Sequence, residues 1–107
     1  MRFIRTGRYL KDLKRLGVTE AETAAIEGAI SAQPAAGDVV VGLDGARKVR
    51  FAMRGRGKSG GGRAIYFLML GDDTAALLMA YAKNRKSDLS PLDRKVLRAV
   101  VKELSDD

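Results

Sequence analysis

The 107 residues predict an α+β domain in which helices are segregated from a meander of strands. Three observations point there. Apolar residues at helical spacing are confined to two segments near the N-terminus and one at the C-terminus. From Lys48 to Arg54 the spacing changes to period two. Two nearly continuous apolar runs, Ala64–Leu70 and Ala75–Ala82, then follow across a turn, as central strands do.

Residues 3 to 6 read as a short first strand. Gly7 opens a helix with Tyr9, Leu10, Leu13 and Leu16 on its apolar face, Asp12 among the charges opposite, and Gly17 as its stop. Thr19 with Glu22 three residues on forms a capping box for a second helix. Ala25, Ile26, Ala29 and Ile30 make its thin apolar stripe, and Pro34 lies beyond its end. In the first meander strand Lys48, Arg50, Ala52 and Arg54 alternate with Val49, Phe51 and Met53, giving one cationic and one apolar face. A loop over 55–62 holds five glycines. After the strand at 75–82, Ser90 as N-cap, Pro91 and Asp93 start a last helix, with Val96, Leu97, Val100, Val101 and Leu104 on its buried face. There is no repeat or linker, so residues 1–107 are expected to be one domain.

The formal net charge is +7, and its surplus sits in one stretch. Between Gly45 and Leu70 there are seven basic residues and no acidic ones; outside it 13 Lys and Arg balance 13 Asp and Glu. Such a field in a small domain points to a polyanion, RNA or DNA. The chain has no cysteine and no histidine. That removes a disulfide framework, a thiolate nucleophile and the usual neutral-pH acid/base. The N-terminus has no apolar signal region and no apolar run is long enough to span a bilayer, so a soluble cytoplasmic protein is expected, away from membranes.

The glycine loop contains Gly57-Lys58-Ser59, like the end of a Walker A motif, and Gly55-x-Gly57-x-x-Gly60, like a dinucleotide fingerprint. Both motifs require a helix directly after the loop. Here Ile65-Tyr66-Phe67 reads as strand, so neither applies. The electrostatic reading is stronger. Glycines let a phosphate chain approach the backbone, and Arg56, Lys58 and Arg63 can converge on its oxygens. Lys48, Arg50 and Arg54 on the cationic strand face extend the track, and Arg47 stands beside them. Tyr81-Ala-Lys83-Asn84-Arg85-Lys86 leaves the last strand at the hairpin end where Arg63 begins its own strand, so the two blocks are expected to share a site. Tyr66 and Tyr81 offer either a stacking face or phenol, or ordinary core aromatics.

Gly37-Asp-Val-Val, Gly45-Ala-Arg-Lys-Val-Arg, Gly55-Arg-Gly-Lys-Ser-Gly-Gly-Gly-Arg-Ala-Ile-Tyr, Tyr81-Ala-Lys-Asn and Asp88-Leu-Ser-Pro together resemble the HigB-like branch of the RelE/ParE toxin superfamily. The likeness covers roughly residues 37 to 100; the N-terminal helices match in layout only. The resemblance implies a compact domain related to microbial ribonucleases, with a twisted antiparallel sheet, two N-terminal helices and one C-terminal helix. It also implies a messenger-RNA endonuclease acting in the ribosomal A site, without a cofactor, held inactive by a cognate antitoxin and reaching operator DNA through it. By the same resemblance Arg63 matches the principal phosphate-contacting arginine. Arg54, Arg56 and Lys58 match cationic loop positions, and Lys83 and Asn84 match the basic block after the last strand, with Arg85 next to them. Asn84 stands where some members have a second arginine, and Ser90 lies near where some have a tyrosine.

A chain without histidine or cysteine suits cleavage by the RNA's own 2′-hydroxyl. On that reading Arg63 and Arg56 stabilise charge on the phosphate, and Lys58 or Lys83 transfers protons, with Tyr81 a further candidate. Nucleic-acid binding without chemistry, or inhibition of DNA gyrase, are the alternatives.

Overall fold

The computed structural model describes residues 1–54, 61–69, 71, 73–84 and 89–105. Its elements run β1 (Arg2–Arg5), α1 (Gly7–Leu16), α2 (Glu20–Ala32), β2 (Asp38–Val39), β3 (Arg47–Met53), β4 (Gly61–Leu68), β5 (Thr74–Ala82) and α3 (Pro91–Ser105). The five strands form one sheet in the order β1-β5-β4-β3-β2. β3 to β5 pair antiparallel, as the meander predicts; the two-residue β2, which the sequence pattern does not signal, adds antiparallel beside β3, and β1 adds in parallel beside β5 and makes the sheet mixed.

The expected caps form. Thr19 accepts from the Glu22 N–H and the Glu22 carboxylate accepts from the Thr19 N–H. Ser90 and Asp93 do the same for α3. Gly17 ends α1 at φ 71°, a conformation that favours glycine.

Each face of the sheet carries its own core. α1 and α2 cover one face, where Tyr9, Leu13, Ile26 and Ile30 pack on Phe51, Ala64, Tyr66 and Leu77. α3 covers the other, where Leu97 and Val101 pack on Ile65, Met79 and Tyr81. Gly62 belongs to β4 and not to the loop: the Phe51 ring lies where its Cβ would be, so a side chain there must displace the ring.

The helix faces are rotated slightly from the sequence expectation. Leu10 is 48% exposed and Val96 41% exposed, whereas Asp12 is buried. The reason for Asp12 is local. β1 stops at Arg5, opposite Leu77, so among the described residues no strand pairs with that edge of β5 beyond this point. The Asp12 carboxylate accepts from the Ala80 N–H (3.0 Å), and the Thr6 hydroxyl donates to the Leu77 carbonyl (2.8 Å), so side chains finish what the short strand leaves open. Arg15, 3.0 Å from Asp12, offsets the cost of burying that charge. Arg8 of α1 reaches Asp93 of α3 at 2.8 Å and ties the two helix starts together.

Candidate nucleic-acid interface

β3 supplies the cationic side of the site. Its odd-numbered Val49, Phe51 and Met53 turn into the core under α1 and α2. Arg50, Ala52 and Arg54 are exposed and alternate with them.

Register brings a second arginine to Arg50. The Lys83 N–H donates to the Gly61 carbonyl (3.0 Å), so Gly61, Arg63 and Ile65 direct their backbone groups toward β5. Gly62, Ala64 and Tyr66 then bond to β3. Arg50 and Arg63 are consequently a facing, non-hydrogen-bonded pair, the kind in which Cα atoms come within about 4.5 Å and side chains are closest. Arg63 in turn faces Tyr81. A row Arg50–Arg63–Tyr81 thus crosses three strands on the face that carries α3.

Burial is graded along this row. Tyr81 and Arg63 are 4% and 5% exposed, whereas Arg50 is open to solvent. One guanidinium nitrogen of Arg63 donates to the Gly62 carbonyl (2.9 Å), which holds the side chain against its own strand. Lys83 and Asn84 are exposed just past β5, held beside the start of β4 by the Lys83 N–H. Arg54 lies just past β3, and Lys48, half-buried, faces Ile65. Arg56, Lys58 and Arg85 lie outside the described residues; their segments, 55–60 and 85–88, leave from the ends of β3 and β5.

Two residues beside the track turn out to be structural. Arg47 donates to the carbonyls of Ala35 and Gly37, both at 2.9 Å, and so clamps the turn after α2. Tyr66, offered as a stacking face or phenol, is buried on the α1–α2 face. Its hydroxyl donates to the Pro34 carbonyl (2.7 Å) and accepts from the Gly37 N–H (3.2 Å). Burial raises its pKa, partly offset by the Gly37 hydrogen bond and by Arg47. Arg47 and Tyr66 face each other across β3 and β4, and both grip the segment 34–37. The strand alternation could have signalled this, since Tyr66 falls on the same side as Ala64.

Among the described residues no group of three or more metal-ligating side chains could hold an ion, and no helix is long and apolar enough to cross a membrane. The segment after the glycine loop is strand β4, which agrees with setting aside the P-loop and dinucleotide readings.

Comparison with known proteins agrees with this architecture. The family model described as the RelE toxin of the RelE/RelB toxin–antitoxin system matches residues 2–106. Among solved structures, the free state of an Escherichia coli RelE toxin carrying two arginine-to-alanine substitutions superposes with a TM-score of 0.56 at 11% identity, over 80% of this chain and 86% of that one. At that identity the superposition speaks for the fold.

Proposed function

The chain belongs to the RelE toxin family, and from that premise we propose that it is an endoribonuclease that cuts messenger RNA in the ribosomal A site, restrained by a cognate antitoxin. The observation that carries this reading is the facing pair Arg50 and Arg63, with Tyr81 next in the row. Two guanidinium groups at facing positions repel each other, and a phosphodiester bound between them relieves that repulsion. Graded burial supports a division of labour: Arg63, fixed in the sheet, grips the reacting phosphate, and exposed Arg50 and Arg54, with half-buried Lys48, guide the strand.

In the proposed reaction the RNA 2′-hydroxyl attacks the adjacent phosphorus and the bond to the 5′-oxygen breaks. The products are a 2′,3′-cyclic phosphate and a free 5′-hydroxyl. Arg63, with Arg56 from the glycine loop, binds the non-bridging oxygens as negative charge builds on them; removing such a donor costs about a hundredfold or more in rate. One proton leaves the 2′-oxygen and one reaches the 5′-oxygen. Lys58 and Lys83 are the candidates for these transfers, with Tyr81, next to Arg63 in the row, a further candidate.

The test is cell-free translation with primer extension, comparing the native chain and Arg63→Ala. Codon-spaced cuts made by the native chain and lost in a folded Arg63→Ala variant are expected. Equal cutting by the variant removes Arg63 from the reaction. Intact message together with arrested DNA supercoiling overturns the ribonuclease reading in favour of a gyrase inhibitor.

A further inference from the structure

We propose that Phe51 is a positioning residue for the cleavage reaction: its ring, laid over Gly62, holds the peptide that anchors the Arg63 guanidinium. The effect on rate rests on the proposed ribonuclease reading; the effect on Arg63 itself rests on geometry. β4 begins with Gly61 and Gly62, directly before Arg63. Neither glycine has a side chain to pack, and glycine backbone is the least restrained of any residue. The residue that must be held most firmly therefore follows the part of the strand least able to hold itself.

Contacts from the neighbouring strands supply the restraint. The Lys83 N–H donates to the Gly61 carbonyl (3.0 Å) and ties the first glycine to the exit of β5. Phe51 takes the second. It faces Gly62 across the β3–β4 ladder, and its Cζ, Cε1 and Cε2 crowd the point that a Gly62 Cβ would occupy. An aromatic ring over a facing glycine provides the packing that the missing side chain cannot. The ring is itself fixed, since Phe51 is buried in the core that Ile26 and Ile30 of α2 help to form. Gly62 bonds to β3, and its facing residue there is Phe51, so the Gly62 carbonyl belongs to the ladder. The same carbonyl accepts from the Arg63 guanidinium (2.9 Å). One peptide thus joins the ring on the α1–α2 face to the guanidinium on the α3 face. Without the ring that peptide can tilt, and the guanidinium moves with it.

Phe51→Leu keeps an apolar side chain and removes the flat cover. Cleavage per folded molecule is expected to fall about tenfold in kcat, with KM changed less than about twofold, because Arg50 and Arg54 still gather the RNA strand. Ile26→Val, a truncation in the same core, controls for lost stability and should leave kcat of the folded protein unchanged. Gly62→Ala drives a methyl group into the ring and should also lower kcat. Adding Phe51→Leu to it makes room for that methyl, so the double variant should cut faster than Gly62→Ala alone. A second readout needs no RNA: the Arg63 side-chain Nε–H signal in nitrogen-15 NMR, assigned by its loss in Arg63→Lys. It should be sharp in the native chain and in Ile26→Val, and broadened or shifted to the position of free arginine in Phe51→Leu. An unchanged Arg63 signal in Phe51→Leu overturns the proposal, as do losses in the double variant that simply multiply. Should Phe51→Leu fail to fold, Phe51→Met takes its place. If the signal responds as expected and no protein cuts RNA, Phe51 does order Arg63 and the nuclease reading is what falls.

Discussion

Two rows of side chains cross the same pair of strands, three residues apart, and serve opposite ends. Arg47 and Tyr66 face each other near one end, and Arg50 and Arg63 face each other near the other. Both rows are rich in hydrogen-bond donors. The first spends them inward: Arg47 on two carbonyls, Tyr66 on a carbonyl and an N–H of the turn between α2 and β2. The second also spends an Arg63 donor on the Gly62 carbonyl, but it sets the exposed Arg50 opposite, where the cationic face of β3 meets the exit of β5. A positive charge in a basic stretch is therefore not by itself a contribution to an anion site; what its neighbours accept decides.

Chemistry at the second row should show the largest effect. Replacing Arg63 by lysine keeps the charge and loses the planar fork, and message cleavage should fall about tenfold to a hundredfold, read by primer extension. Arg47→Lys, tested alongside, should leave cleavage near the native rate. Equal losses in both would dissolve the distinction between the rows.

Stability should respond in the reverse pattern. Tyr66→Phe strands the Gly37 N–H and the Pro34 carbonyl, so urea unfolding should show a loss of about 1–3 kcal/mol with cleavage by the folded protein retained. A stable but inactive Tyr66→Phe protein would place Tyr66 in the site after all.

RNA binding sharpens the contrast between Arg47 and Arg50. A phosphate contact contributes roughly 0.7 to the slope of log affinity against log salt on a single strand. Arg50→Ala should lower that slope by about this amount in a fluorescence titration with single-stranded RNA. Arg47→Ala should not, because its guanidinium is already engaged by carbonyls.

The smallest effect at neutral pH concerns a second buried tyrosine. Tyr9, unlike Tyr66, has a buried hydroxyl without a hydrogen-bond partner among the described residues, and burial pushes its pKa up to about 12, with the Glu27 charge adding to the shift. Tyr9→Phe should change stability at pH 7 by about 0.5 kcal/mol or less. At alkaline pH the difference opens. The unfolded chain releases the phenolic proton near pH 10, whereas the folded one holds it to about 12. Native stability from this group is thus intact below pH 10 and falls as pH rises through that window, by on the order of 2 kcal/mol. Unfolding curves taken across this range should show a shallower decline for Tyr9→Phe; identical declines would mean that Tyr9 ionises freely in the fold.

Much of the architecture was legible because its signals are local. The capping box at Thr19, the N-cap at Ser90, the stop at Gly17 and the alternation of β3 each depend on residues within one turn or one strand. The exceptions are non-local. Asp12 reads as a surface charge on its helix and is buried because β1 ends early beside β5. Leu10 reads as core and is exposed, while Tyr9 and Leu13 of the same helix are buried. Gly62 reads as loop and belongs to a strand, because a ring from the facing strand occupies the place of its Cβ.

By itself the sequence determined the α+β class, the order of elements apart from β2, and the concentration of charge between Gly45 and Leu70, Arg63 included. Tertiary structure alone decided that Arg50 is the residue facing Arg63 and that Arg47 and Tyr66 are clamps. The physical reason is register. Spacing along a chain fixes which side of a strand a residue takes, but only the pairing of strands, set by packing on both faces of the sheet, fixes what stands opposite.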